Sequence, residues 1–207
     1  MFRDREDAGT QLAQKLKAYH GTEAVVLALP RGGVVIGERV AKGLELPLDI
    51  VVARKVGHPT NSDYAICAVD ERGTRLCNEA ELKHIDKKWL NQRVEQEQQE
   101  AQRRVVLYRG KKAPISLSGK TAIIVDDGIA TGLTIRLAIK AVKEQKPKRI
   151  VVAIPVAPSD IAMKIRREVD EFVVLEPQED FLGAVGAHYR FFLQVKDAEV
   201  IHLLSLV

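Results

Sequence analysis

The stretch that most limits what this chain can become runs from Ala122 to Thr134. An apolar, β-branched run ends abruptly in two adjacent carboxylates, Asp126 and Asp127. A turn carrying Gly128 and Gly132 follows, and after it an amphipathic stretch to about Gln145. The pattern predicts a buried parallel strand, a tight loop, and a helix starting near Gly132. Such a loop opposes two chemistries within a few residues. The acids are anionic acceptors suited to hydroxyls or a cation. The backbone N–H groups at the helix start, with the hydroxyls of Thr131 and Thr134, suit a phosphate. A ribose 5-phosphate satisfies both. The plainer alternative is a strand-to-helix turn whose Asp caps the helix. No Gly-x-x-x-x-Gly-Lys or Gly-x-Gly-x-x-Gly is present, which argues against a nucleotide-triphosphate loop or a dinucleotide turn.

A second strand-loop-helix precedes it. Ala24 to Leu29 is a continuous apolar run that ends in Pro30-Arg31-Gly32-Gly33, and Val34 to Leu44 reads as a helix. Glycines there permit close backbone approach to a ligand, and Arg31 adds a fixed positive charge. A third run, Leu48 to Ala53, is closed by Arg54-Lys55. Two cations at a strand end are either solvated or set to neutralise phosphate. A further strand is expected over 150–155, a helix over 159–167 and a last strand over 171–175. Strand and helix alternate, which predicts an α/β fold with a doubly wound parallel sheet. Ligands in such sheets sit beyond the carboxyl ends of the strands, where residues 30–33, 54–55 and 126–134 all fall.

The tandem of Pro-Arg-Gly-Gly and Val-Asp-Asp-Gly-Ile-Ala-Thr-Gly resembles the signature of the type I phosphoribosyltransferases. The resemblance covers a core of roughly 22–176. It implies that Asp126 and Asp127 hold the ribose diol of phosphoribosyl pyrophosphate and act as the catalytic acids. Gly128, Ile129, Ala130, Thr131, Gly132, Leu133 and Thr134 would then wrap the 5-phosphate. Arg31, Gly32 and Gly33, with Arg54 and Lys55, would take the pyrophosphate. Mg2+ is implied as cofactor, bound mostly through substrate oxygens with Asp126 and Asp127 nearby. The acceptor implied is a nucleobase-like nitrogen. Hypoxanthine-guanine enzymes place an acid where this chain has Ala130, which argues against a 6-oxopurine. The opening Phe-Arg-Asp-Arg and the tail Phe-Leu-Gly-Ala-Val-Gly-Ala-His-Tyr resemble a stand-alone group of predicted phosphoribosyltransferases without a settled acceptor. The rival reading is a non-catalytic sensor of the same donor. A DNA-binding sensor should add a helix-turn-helix segment or a basic face, and the sequence has neither.

The remaining segments are less specific. Residues 56–64 have the Gly, Pro, Asn and Ser content of a mobile loop, and the family places a flexible loop near this point. Ala65 to Val69 and Thr74 to Cys77 read as a hairpin with Gly73 in the left-handed position, which sets Cys67 opposite Cys77. The pair is expected to stay reduced in a cytoplasmic chain. Glu79 to Arg109 reads as a long inserted helix (about 79–110) with a sparse apolar stripe, either a homodimer arm or a solvated surface helix. A hood over the base is expected at about 176–195, where Phe181, His188 and Tyr189 are the base-binding candidates and Glu179 or Asp180 a candidate general base. Asp197 is expected to cap a closing helix.

At 207 residues one domain, 1–207, is expected. A net charge of +4 is too mild to argue for nucleic acid. The charged start and the lack of a long apolar run predict a cytoplasmic protein with no membrane segment.

Overall fold

The computed structural model describes residues 1–178 and 181–207. The candidate base residues Glu179 and Asp180 therefore lie outside the described residues. In chain order the strands are β1 (Ala24–Ala28), β2 (Leu48–Ile50), β3 (Ala53–His58), β4 (Asn61–Asp70), β5 (Arg75–Cys77), β6 (Thr121–Val125), β7 (Arg149–Pro158) and β8 (Glu171–Gln178). The α-helices are α1 (Arg5–Lys15), α2 (Gly32–Leu44), α3 (Glu79–Leu82), α4 (Lys87–Arg109), α5 (Leu133–Lys143), α6 (Ser159–Arg166) and α7 (Asp197–Ser205).

Five strands pair in the order β2-β1-β6-β7-β8, every pair parallel. Alternation along each strand feeds two cores. Val26, Ala28, Ile123 and Val125 join the α1 and α2 side, while Val25, Leu27, Ala122 and Ile124 join Ile135, Ile139 and Ile165 of α5 and α6. A sheet buried on both faces needs continuous apolar runs, and these strands supply them. The strand order reverses between β1 and β6, so a crevice opens at their carboxyl ends. The doubly wound α/β expectation is met.

Three strands form a separate antiparallel sheet, β3-β4-β5. Here the structure corrects the mobile-loop expectation for 56–64. Val56 pairs with Cys67, Gly57 with Ala65 and His58 with Asn61, so only Pro59 and Thr60 are left to turn. Gly57 permits the close strand approach, since a Cβ there would lie 2.3 Å from the Ser62 carbonyl oxygen. Arg54 and Lys55 lie within β3, not at the end of a main-sheet strand. The hairpin register is as expected, with Cys67 opposite Cys77 and Gly73 at φ 86°. The cysteines, however, are joined as a disulfide, against the expected reduced pair.

The long helix is also revised. Residues 79–109 break into α3 and α4, with Asp86 capping α4 through the Trp89 amide. The apolar stripe of α4 is used inside the chain. Leu90 and Val94 pack with Val56, Ile66 and Val69, while Ala101 and Tyr108 join the main core. Its contacts to β3, β4 and α7 seat it on the core of its own chain. Asp197 proves to be the first residue of α7, whose cap position is Lys196. Among the described residues no helix is long and apolar enough to cross a membrane.

Candidate active site

The parallel register of β1 and β6, with Ala28 beside Val125, brings their two loops together at the crevice. β1 leads through Leu29 and Pro30 to α2, which starts at Gly32; the Pro30–Arg31 peptide is cis. β6 leads directly into Asp126 and Asp127. The glycines of one loop face the acids of the other. A Cβ on Gly32 would lie 1.9 Å from Asp127 Oδ2, and one on Gly33 would lie 2.9 Å from Asp126 Oδ1. Neither glycine has a positive φ, so space and not backbone angle requires them. Their bare backbones admit carboxylates, a closer partner than the ligand the sequence had implied.

The acids are held from several directions. The Asp127 amide donates to Asp126 Oδ1 at 2.8 Å. Arg5 Nε, from the first turn of α1, donates to Asp127 Oδ2 at 2.8 Å. The Tyr189 hydroxyl donates to the Asp127 carbonyl. Burial first, and then the charge of Asp127, pushes the Asp126 carboxyl well above the ordinary carboxylate range, with Arg5 opposing the shift. Arg5 also donates through Nη1 to the Leu193 carbonyl at 2.7 Å, and its guanidinium carbon stands 3.7 Å from the Phe192 ring centre.

Asp126, Asp127 and Thr134 border a cavity of about 510 Å³. The same cavity is also lined by Arg31, Arg54, Lys55 and Arg104. Each of these arginines has a carboxylate partner. Arg31 lies 3.6 Å from Asp197, Arg54 Nη2 lies 2.6 Å from Glu97, and Arg104 Nε lies 2.8 Å from Glu100. The expected pyrophosphate residues Arg31, Gly32, Arg54 and Lys55 thus share one cavity, while Gly33 packs behind it against Asp126.

The glycine turn divides. Gly128 packs toward Val185 and Val156, and Ile129 is buried, its amide donating to the Val156 carbonyl at 3.0 Å. Ala130, Thr131 and Leu133 border a second cavity of about 560 Å³, with Arg136 and Lys164 on its walls. Gly132, at φ 80°, is the cap position of α5 and has no side chain to satisfy the first-turn amides. The turn therefore borders both cavities, and an anion at the start of α5 meets unsatisfied N–H groups.

The aromatic candidates lie elsewhere. His188 and Tyr189 are buried, and Phe181 is half-buried, stacked on His188 at 5.0 Å. None of the three borders the first cavity, whereas Phe192 does. Tyr189 packs between Phe2 and Phe192. Burial pushes the His188 imidazole below its ordinary value, and its Nε2 has no partner among the described residues.

The sequence pattern did not single out Arg5 or Arg104. For Arg104 there was a visible signal. Glu97 and Arg104 fall on the stripe of Leu90, Val94, Ala101 and Tyr108, where a charge is out of place unless it is used. For Mg2+, the described residues hold no group of three or more His, Cys, Asp or Glu side chains placed for a metal. The acid pair alone suits a cation delivered with a phosphorylated substrate.

The model of a family described as the phosphoribosyl transferase domain matches residues 3–191. A Mycobacterium tuberculosis protein named "Putative phosphoribosyl transferase Rv0571c" is 40% identical over 207 residues, covering 99% of this chain and 46% of that protein. The chain thus spans about half the length of the curated relatives it matches. A uracil phosphoribosyltransferase of Mycoplasma genitalium is 44% identical over 66 residues, which cover 30% of this chain and 32% of that one. The crystal structure of TT1426 from Thermus thermophilus superposes with a TM-score of 0.78 at 37% identity, covering 98% and 97% of the two chains.

Proposed function

The chain belongs to the phosphoribosyl transferase domain family, and from that premise we propose that it transfers a 5-phosphoribosyl group from phosphoribosyl pyrophosphate to a nitrogenous base, releasing pyrophosphate. The observation that carries this reading is one cavity lined by both carboxylates and by Arg31, Arg54, Lys55 and Arg104. The acids accept from the ribose 2′- and 3′-hydroxyls. The cations face the leaving pyrophosphate, and the start of α5 supplies amides for the 5-phosphate.

Departure of pyrophosphate from the anomeric carbon builds positive charge on the sugar and negative charge on the leaving group. Asp127, held by Arg5, stabilises the cationic ribose without reorganising. Arg31 and Arg54, fixed by Asp197 and Glu97, stand ready for the leaving charge. A bound Mg2+ would neutralise pyrophosphate oxygens, with Asp126 and Asp127 as the nearest acids. Ala130 offers no carboxylate to a purine nitrogen, which speaks for a base other than a 6-oxopurine. The short stretch shared with a uracil enzyme makes uracil the first pyrimidine to try.

The test is incubation with Mg2+, labelled donor and a panel of bases. Product with any base supports transfer. Donor binding without turnover across the panel would favour a sensor.

A further inference from the structure

Six positions of α4 are buried: Leu90, Val94, Glu97, Ala101, Arg104 and Tyr108. Their spacing alternates four and three residues, so all share one face. Two are charged. Arg104 is only 6% exposed, and burying a guanidinium costs several kcal/mol unless partners compensate. A stripe that needed only packing would carry leucine there.

The partners of Arg104 say where it points. Nε donates to Glu100 at 2.8 Å, and Nη1 reaches the Pro30 carbonyl at 3.4 Å, a long contact. Pro30 opens the Arg31-Gly32-Gly33 loop. A guanidinium has five N–H donors, and acceptors among the described residues take two of these. The residue borders the same cavity as Arg31, Arg54 and the acid pair. Glu100 stays ionised, its carboxyl lowered to about 2 by Arg103 and then by Arg104, so the anchor persists across the usual pH range.

The same helix fixes the other arginines. Glu97 accepts from both Nε and Nη2 of Arg54. Tyr108 donates to Asp197 at 2.6 Å, and Asp197 faces Arg31. One inserted helix therefore orients three cations toward one space.

We propose that Arg104 is a pyrophosphate-binding residue, an addition made by α4 to the donor site, with Glu97 and Asp197 as positioning residues for Arg54 and Arg31. The proposal rests on the phosphoribosyl transfer reading and adds a residue to its leaving-group side. A planar fork beside the Pro30 carbonyl suits two phosphate oxygens at once, which a lysine cannot match.

The experiment is calorimetric titration of the full chain with inorganic pyrophosphate plus Mg2+, and separately with ribose 5-phosphate. Arg104→Met keeps the buried stem and removes the fork. It is expected to weaken pyrophosphate binding tenfold or more while ribose 5-phosphate stays within about twofold. Arg104→Lys, which retains the charge, is expected to lose about threefold or more for pyrophosphate, and it serves alone if the Met variant does not fold. Unchanged pyrophosphate affinity in a folded variant overturns the role of Arg104. Equal weakening of both ligands also overturns it, because that marks a structural clasp. A wild-type protein that binds neither ligand removes the transfer reading itself, and the proposal with it.

Discussion

Arg5 and Asp127 are 122 residues apart in the chain, yet Nε and Oδ2 lie 2.8 Å apart in a pair only 11% and 17% exposed. The contact ties the N-terminal helix to the acid pair. Through the Leu193 carbonyl and the Phe192 ring it also ties in the C-terminal segment. Phe2 and Arg3 reinforce that join, with Phe2 N donating to the His188 carbonyl and Phe191 N to the Arg3 carbonyl. Arg5→Gln leaves a half-buried carboxylate with a weaker partner. It is expected to cost about 1–3 kcal/mol in chemical denaturation and to weaken donor binding. A loss below about 0.5 kcal/mol, within the range of an ordinary surface change, would mean the pair is incidental.

Gly32→Ala tests whether the glycines serve the acids. The new Cβ would stand 1.9 Å from Asp127 Oδ2 and 2.8 Å from Arg5 Nε, so the acid pair has to move. Overpacking of this kind costs about 1–3 kcal/mol. Donor affinity is expected to fall along with the thermal midpoint. Wild-type affinity in the alanine variant would contradict the close approach.

Asp126 gives a prediction in pH. Its folded pKa is raised by burial and by Asp127, above an unfolded value of about 3.9. Between those two values the native state binds more protons than the unfolded chain, so this group's contribution to stability falls as pH rises through the window. Above the window the cost of the buried charge is fully present. Asp126→Asn removes it, and is expected to raise the thermal midpoint at neutral pH while the gain vanishes below about pH 4. Donor binding should weaken in the same variant. A midpoint gain independent of pH would point to some other cause.

Tyr189→Phe separates two roles for a ring that sequence patterning offered to a base. The phenylalanine keeps any stacking surface and loses the hydrogen bond to the Asp127 carbonyl. The expected result is a loss of about 0.5–1.5 kcal/mol in stability. Unchanged stability combined with altered base preference would favour the stacking role.

The legible parts were those set by local chemistry. Asp126 and Asp127 at a strand end, and glycines at a helix start, leave a mark because backbone geometry and adjacent charge are encoded side by side. The sheet was readable because a strand buried on both faces must be continuously apolar. Arg5 was not, since its partner is remote in sequence and it resembles an ordinary first-turn residue. Arg104 was hidden by reading α4 for apolar periodicity alone, which passes over a charge buried against another charge. Residues 56–64 misled because turn-forming composition also suits a hairpin whose strands approach closely at Gly57. The disulfide is not legible although the register is, because facing cysteines bond or stay reduced according to redox conditions that the sequence does not encode.

The acid pair as the clasp of a phosphoribosyl donor is tested most directly by calorimetric titration of phosphoribosyl pyrophosphate with Mg2+ into wild-type protein and Asp127→Asn. The expected outcome is saturable one-site binding by the wild type, and at least tenfold weaker binding by the folded variant, tenfold corresponding to about 1.4 kcal/mol. No heat with the wild type, or equal affinity in the two proteins, would contradict it.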